Sequence, residues 1–185
     1  KMGTIFVDNL EPQSGTSLTL GASGDSIALT SGAIQSNFLN PAFHAYASGG
    51  GSNQTVSDAT ATKITLFDTE LFDTDNCFAS NRFTPTVAGK YFVYSNMYWD
   101  TGTVNDYHNG AVQLRKNGTI YAMIDNNWNA SGGNAMSNHV GAIMDMNGSS
   151  DYVEVYVYQN TASGASVTVY DQSNITQFGA YRIGT

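Results

Sequence analysis

The sequence predicts an all-β protein, a sandwich or barrel of about ten short strands, and three observations carry that expectation. Apolar residues recur with period two or in short blocks rather than at helical spacing, and Gly, Asn, Asp and Ser separate the blocks. The composition is 41% hydrophobic and 12% aromatic but only 12% charged, about half the usual charged share. β-Branched and aromatic side chains suit pleated strands, while Gly, Asn and Ser suit tight turns.

The segment from Lys1 to about Asn37 is poor in aromatics and holds a weak repeat, Ser17-Leu18-Thr19-Leu20 followed nine residues later by Ser26-Ile27-Ala28-Leu29. Two such tiny strands bury little alone, so they read either as a stem shared by three copies around an axis or as a hairpin laid on the main domain. The expected domains are therefore a β-rich stem over 1–37 and a head over 38–185. Strands are expected at Ala42–Ala47, Lys63–Phe67, Arg82–Thr84, Gly89–Trp99, Gly110–Lys116, Thr119–Asn126, Ser137–Met146, Tyr152–Gln159, Ser166–Asp171 and Thr176–Ile183. Asn117-Gly118 between two apolar runs is the strongest hairpin signal, since both residues tolerate positive φ.

In Tyr152–Tyr158, Val153, Val155 and Val157 take one face while Tyr152, Glu154, Tyr156 and Tyr158 take the other. The run Tyr91–Trp99 is large on both faces. A strand buried on both sides implies a neighbour beyond the sandwich, and symmetric self-association supplies one. Tyr91, Tyr152, Tyr156 and Tyr158 are thus the expected subunit contacts, the plain alternative being a tyrosine-rich solvent face.

Seven Lys and Arg against fifteen Asp and Glu give a net charge of −8, which opposes nucleic-acid phosphates and anionic lipid. Cys77 is the single cysteine, so neither an internal disulfide nor a cysteine-rich zinc site can form. No stretch approaches the roughly 20 apolar residues of a membrane helix, and the chain reads as soluble.

From Pro41 onward the chain resembles the complement-q globular head, a TNF-like jelly roll. Pro41-Ala42-Phe43-His44-Ala45 looks like that family's first strand, and Phe67, Asp73, Phe78, Phe83 and Gly89-Lys90-Tyr91 follow its central signature. Leu114-Arg115-Lys116-Asn117-Gly118 matches its hairpin, Asp151-Tyr152-Val153-Glu154-Val155 a late strand and Phe178-Gly179-Ala180-Tyr181-Arg182-Ile183 the closing strand. Departures are a short gap between Phe78 and Phe83, Val93 and Ser95 where aromatics are expected, and Ala180 where Gly is usual. The resemblance implies a ten-stranded antiparallel jelly roll, a homotrimer with the tyrosine faces on its axis, and core roles for Phe67, Phe78, Phe83 and Phe178. Met2 to Asp25 resembles the start of tail-fibre and appendage proteins of tailed bacteriophages. That likeness implies attachment to other virion proteins, with Ile5, Val7 and Leu10 as the apolar contacts, and a virion location.

Catalysis would need His44, His108 or His139 beside a nucleophile, and no catalytic motif surrounds any of them. No enzyme activity is expected. The acidic residues Asp68, Glu70, Asp73 and Asp75 offer two sharper readings, glycosidase carboxylates or a calcium site with Asp73 and Asp75 as ligands, against solvated loop charges as the default. The most binding-like residues are Trp99, Asp100, Tyr107, His108, Asn126 and Trp128, aromatics amid Asn and Asp suited to stacking on a sugar, although Trp99 and Trp128 could equally cap the core. The expected function is a virion appendage whose trimeric head binds a host-surface glycan or receptor. A capsid decoration or tail adaptor making protein contacts only is the alternative, and a glycan depolymerase the remote one.

Overall fold

The computed structural model describes residues 10–15, 18, 22, 23, 26, 39–103, 106–127 and 133–184. Ile5, Val7, Trp128 and all of the stem repeat except Leu18 and Ser26 lie outside the described residues, whereas Leu10 and Leu18 are described and exposed. The chain divides into two units, 1–36 and 37–185, and the second contains every strand described.

Thirteen strands are described and no helix. They are β1 (Ala42–Tyr46), β2 (Gln54–Val56), β3 (Thr62–Lys63), β4 (Thr69–Asp73), β5 (Phe78–Ala79), β6 (Arg82–Phe83), β7 (Ala88–Asp100), β8 (Tyr107–Lys116), β9 (Thr119–Asn127), β10 (Ala135–Asn147), β11 (Val153–Thr161), β12 (Val167–Val169) and β13 (Gln177–Gly184). All pairings are antiparallel. One sheet runs β4-β1-β13-β7-β10, with β12 meeting β7 at Trp99 and Asp100 and carrying β2. The other runs β5-β6-β11-β8-β9, with β3 also on β11.

The core lies between the sheets. Phe43 stacks on Phe78 at 4.7 Å and on Phe83 at 4.9 Å, and Phe178 closes the group edge-on at 5.0 Å. Phe67, Phe78, Phe83 and Phe178 are all buried, as their place in the sequence implied. Each such ring contributes roughly 1.5–3 kcal/mol on leaving water. The β8–β9 hairpin turns on Asn117 and Gly118 with φ of 52° and 81°, the left-handed pair that a two-residue turn requires.

The structure adds β2, β4 and β5 to the ten expected strands and leaves most of the expected Lys63–Phe67 strand without a ladder. β4 carries Glu70 and Asp73 and looked like an acidic loop, but it is the edge of its sheet, where charge discourages further pairing. Residues 64–67 bury Ile64, Leu66 and Phe67 with little ladder. Ile64 N–H donates to the Val155 carbonyl, Thr65 N–H to Gln54 Oε1 and Phe67 N–H to Asn81 Oδ1, so side-chain amides replace a partner strand.

Candidate functional site

The outward face of the seven-stranded sheet is an aromatic platform. Residues opposite each other across a ladder share a face, and β7 turns Phe92, Tyr94, Asn96 and Tyr98 outward while Tyr91, Val93, Ser95, Met97 and Trp99 enter the core. Tyr94 sits at the centre. Its cross-strand partners are Gly179 on β13 and Gly141 on β10, so no side chain stands on either side of it. A Cβ on Gly179 would come within 2.5 Å of the Tyr94 ring, and one on Gly141 within 2.9 Å of Phe92. The rings therefore lie over bare backbone.

Tyr94 OH and His44 Nδ1 are hydrogen-bonded at 2.8 Å, and His44 neighbours Tyr46 and Phe72 with ring centroids at 6.3 and 6.4 Å. Phe92 lies 5.9 Å from Tyr94 and 5.6 Å from Tyr181. His139 joins from β10, its Nδ1 bonded to Asn96 Oδ1 at 2.6 Å. Burial holds His44 below its ordinary pKa and lifts the Tyr94 phenol, the latter with help from Tyr181. Yet Phe72 is 44% exposed, Tyr181 36% and Ile143, opposite Phe92, 55%. A second apolar surface lies on the edge strand β9, where Ile120, Tyr121, Met123 and Ile124 are exposed and Tyr121 OH donates to the Ile143 carbonyl. Exposed apolar residues gathered in this way make candidate interaction surfaces.

The other sheet's outward face differs. Tyr152, Tyr156 and Tyr158 are half-buried there, as the period-two reading of β11 implied. Arg82 lies over the Tyr152 ring at 3.9 Å and Arg115 over Tyr156 at 4.1 Å. The Tyr152 and Tyr156 rings are thus capped by arginines of their own chain. Tyr91, also expected at a subunit contact, is fully buried beside Phe83, its hydroxyl donating to the Val87 carbonyl, and burial pushes its phenol up to about 12. It has no surface to offer a partner.

The residues expected to contact a ligand are separated. Trp99 and Tyr107 are core residues, with Trp99 Nε1 donating to Tyr107 OH at 2.7 Å, and their interior position corrects the ligand-contacting role read from sequence. Aromatics at a strand end and a loop start are equally what a sandwich uses to plug its end, and register decides. Asp100 accepts from Gly102 N–H at its own turn, His108 is exposed, and Asn126 donates to Asn138. The calcium candidates fare similarly. Asp73 accepts from the N–H groups of Cys77 and Phe78 and from Cys77 Sγ, which makes it the anchor of its turn, while Asp75 is exposed. Among the described residues no three His, Cys, Asp or Glu side chains gather to hold a metal ion. Burial would raise Asp68, but hydrogen bonds from Ser48 outweigh it and hold the carboxyl below its ordinary value, the opposite of a general acid's need.

Sequence reasoning missed the platform's true members. His44, Phe72, Phe92, Tyr94, His139 and Tyr181 come from five strands, and only the register between them shows one face.

No family model matches the chain, and no curated protein does. Solved structures do. Murine APRIL at pH 5.0 aligns with a TM-score of 0.54 at 10% identity, covering 77% of this chain and 98% of that one. Eiger TNF from S. frugiperda aligns at 0.53 and 12%, covering 77% and 92%. The globular domain of zebrafish complement 1qA protein aligns at 0.49 and 14%, covering 77% and 96%. At these identities the APRIL and Eiger alignments show the fold alone, a TNF-like jelly roll.

Proposed function

We propose that the chain is a non-enzymatic binding head that works as a homotrimer, carried on a bacteriophage tail fibre or appendage and engaging the host surface. One observation carries the reading: an aromatic face seated on Gly141 and Gly179 whose rim, Phe72, Tyr181 and Ile143, is left exposed by the described residues. The structure offers two different apolar surfaces, this face and the β9 edge. When unlike patches of identical chains meet, the contact is head-to-tail and makes a ring where the rotation between copies closes, and a ring of three is what the sequence resemblance implies. Closure would also cover β9, an exposed strand edge that otherwise invites aggregation. Three heads on one stem would then multiply weak surface contacts into avidity. The phage setting draws its support from the likeness of Met2 to Asp25 to tail-fibre proteins, and a jelly roll on its own is compatible with many activities.

Sedimentation equilibrium of the whole chain tests the assembly. The expected mass is three times 19.8 kDa, and Phe72→Asp should reduce it to one chain while strand content stays unchanged. A monomeric wild-type protein at micromolar concentration, or a Phe72→Asp variant that stays trimeric, overturns the interface. Antibody labelling of purified particles and binding of the labelled trimer to host cells test the appendage role. Labelling without cell binding would favour the capsid-decoration or tail-adaptor alternative.

A further inference from the structure

The chain carries a net charge of −8, yet three of its seven Lys and Arg residues gather on the outward face of the β6-β11-β8 sheet and the β3 strand beside it. Lys63 stands opposite Tyr156, and Tyr156 opposite Gln113, in one cross-strand row. In the adjacent row Glu154 stands opposite Arg115. Arg82 reaches in from β6. Tyr152, just ahead of β11, and Tyr156 on it are four residues apart, so the two arginine-covered residues are separated by about 13 Å along an extended chain.

How the cations are held matters more than their number. Glu154 is buried, and its Oε1 takes Lys63 Nζ at 2.7 Å together with Arg82 Nε at 2.9 Å. Burial alone would raise its carboxyl, but these two partners hold it below the ordinary range, so it is ionised at neutral pH. One carboxylate thus serves two cations. Arg115 is bonded through Nε and Nη2 to the neutral amide oxygen of Gln113 at 2.9 and 2.7 Å. Its charge is fixed flat on Tyr156 with no carboxylate opposing it in those bonds, a pre-organised guanidinium of the type that recognises planar anions. The nearby acidic residues Asp73, Asp75 and Glu154 match the three cations in number, but Asp73 is held in its own turn by the N–H groups of Cys77 and Phe78, and Arg115 is bonded to the neutral Gln113 rather than to any of them.

A cavity of about 350 Å³ opens beside these cations, lined by Lys63, Arg82, Asn76, Ser80, Thr84 and Cys77 among others. The β5–β6 turn builds it. Ser80 and Asn81 both take left-handed φ, 52° and 56°, and this turn aims the Ser80 carbonyl at Lys63 Nζ, 3.1 Å away. Cations, an amide and hydroxyls around one hollow, with flat rings alongside, suit a sugar that carries an acid group: the cations take the carboxylate, and the amide and hydroxyls take the ring oxygens.

We propose that this face is a binding site for an acidic, carboxylate-bearing polysaccharide, with Arg115, Arg82 and Lys63 pairing to the acid groups and the Tyr152 and Tyr156 edges receiving the sugar rings. The site deepens the surface-binding reading above and rests on it. It lies on the opposite sheet from the aromatic platform, and β9, which pairs with β8 at Arg115, borders it.

The test uses the whole chain and three probes, oligogalacturonate, neutral dextran and dextran sulfate, with binding read by calorimetry. Oligogalacturonate should bind and dextran should not, and raising the salt toward 1 M, where charges are screened beyond about 3 Å, should weaken binding strongly. Arg115→Gln should weaken it about tenfold, equivalent to 1.4 kcal/mol. Lys63→Gln should weaken it as well, and an unchanged melting temperature for either variant separates lost binding from lost fold. Equal binding of dextran, binding of dextran sulfate alone, or full affinity in both variants overturns the site. Host-cell binding that persists in Arg115→Gln would sink this site and leave the surface-binding reading standing, whereas loss of all cell binding by the wild type would sink that reading itself.

Discussion

Gly179→Ala is the sharpest single perturbation of the aromatic platform, because it adds one methyl group at a place where the structure leaves none. The new Cβ would meet Tyr94 Cζ and OH at 2.5 Å and Cε1 at 2.9 Å. Carbon contacts settle near 3.5–4.0 Å, so the ring must move by about 1 Å. That motion gives up the 2.8 Å hydrogen bond to His44 and the packing on Phe92. A hydrogen bond is worth about 0.5–1.5 kcal/mol net and an aromatic pair a similar amount, while Gly→Ala returns about 0.4–1 kcal/mol by restricting the unfolded chain. The folded chain should therefore lose about 1–2 kcal/mol, or about 2–8 °C in melting temperature for a domain of this size.

Assembly should suffer more than folding. In the proposed ring, displacing Tyr94 from its seat costs about 2 kcal/mol per contact, and three contacts compound this to about 6 kcal/mol, some four orders of magnitude in dissociation. Sedimentation velocity over roughly a hundredfold range of concentration reads this directly. Gly179→Ala should run as a folded monomer where the wild type runs as a trimer. If it melts low yet stays trimeric, the platform is not the subunit contact. If neither quantity changes, the seating of Tyr94 on Gly179 has no energetic weight, and the reasoning from bare backbone fails.

Two further outcomes follow from the shifted groups. His44 has a folded pKa below its ordinary 6.5, so between the two values the unfolded chain binds more protons, and stability is full above 6.5 and lost as pH falls through the folded value; thermal melts from pH 7 to 5 should show this slope, and His44→Gln should flatten it. Cys77 is buried, and burial together with the Asp73 carboxylate drives its thiol well above the ordinary value, so a thiol reagent should label it only at the rate of unfolding, and fast labelling of the native protein would contradict its position.

Much of the fold was legible because period-two patterning and turn chemistry are local. Asn117-Gly118, the valines of β11 and the phenylalanines of the core all occupy the places their sequence context implied. Strand phase was legible only where the two faces differ in kind. On β11 the valines opposed tyrosines, and the reading was sound. On β7 both alternations are large, Tyr91-Val93-Ser95-Met97-Trp99 against Phe92-Tyr94-Asn96-Tyr98, so nothing local says which enters the core. The polar residue is no guide either, since Ser95 goes inward and is satisfied by the Gln177 carbonyl at 2.8 Å.

The sites were less legible than the fold because each depends on residues far apart in the chain. Glu154 reads as a misplaced charge in an apolar strand until Lys63 and Arg82, 91 and 72 residues away, are brought to it. Gly141 and Gly179 read as weak points in two strands until register sets both beside Tyr94. The two outward faces then separate in character. One carries half-buried rings bordered by the exposed Phe72, Tyr181 and Ile143, apolar surface that is unfavourable in water and favourable against another copy. The other carries rings capped by arginine, which is stable in water and still presents charge outward. A surface of the first kind is suited to permanent contact and one of the second to reversible contact, so the aromatic residues of the two sheets are fitted to different kinds of partner.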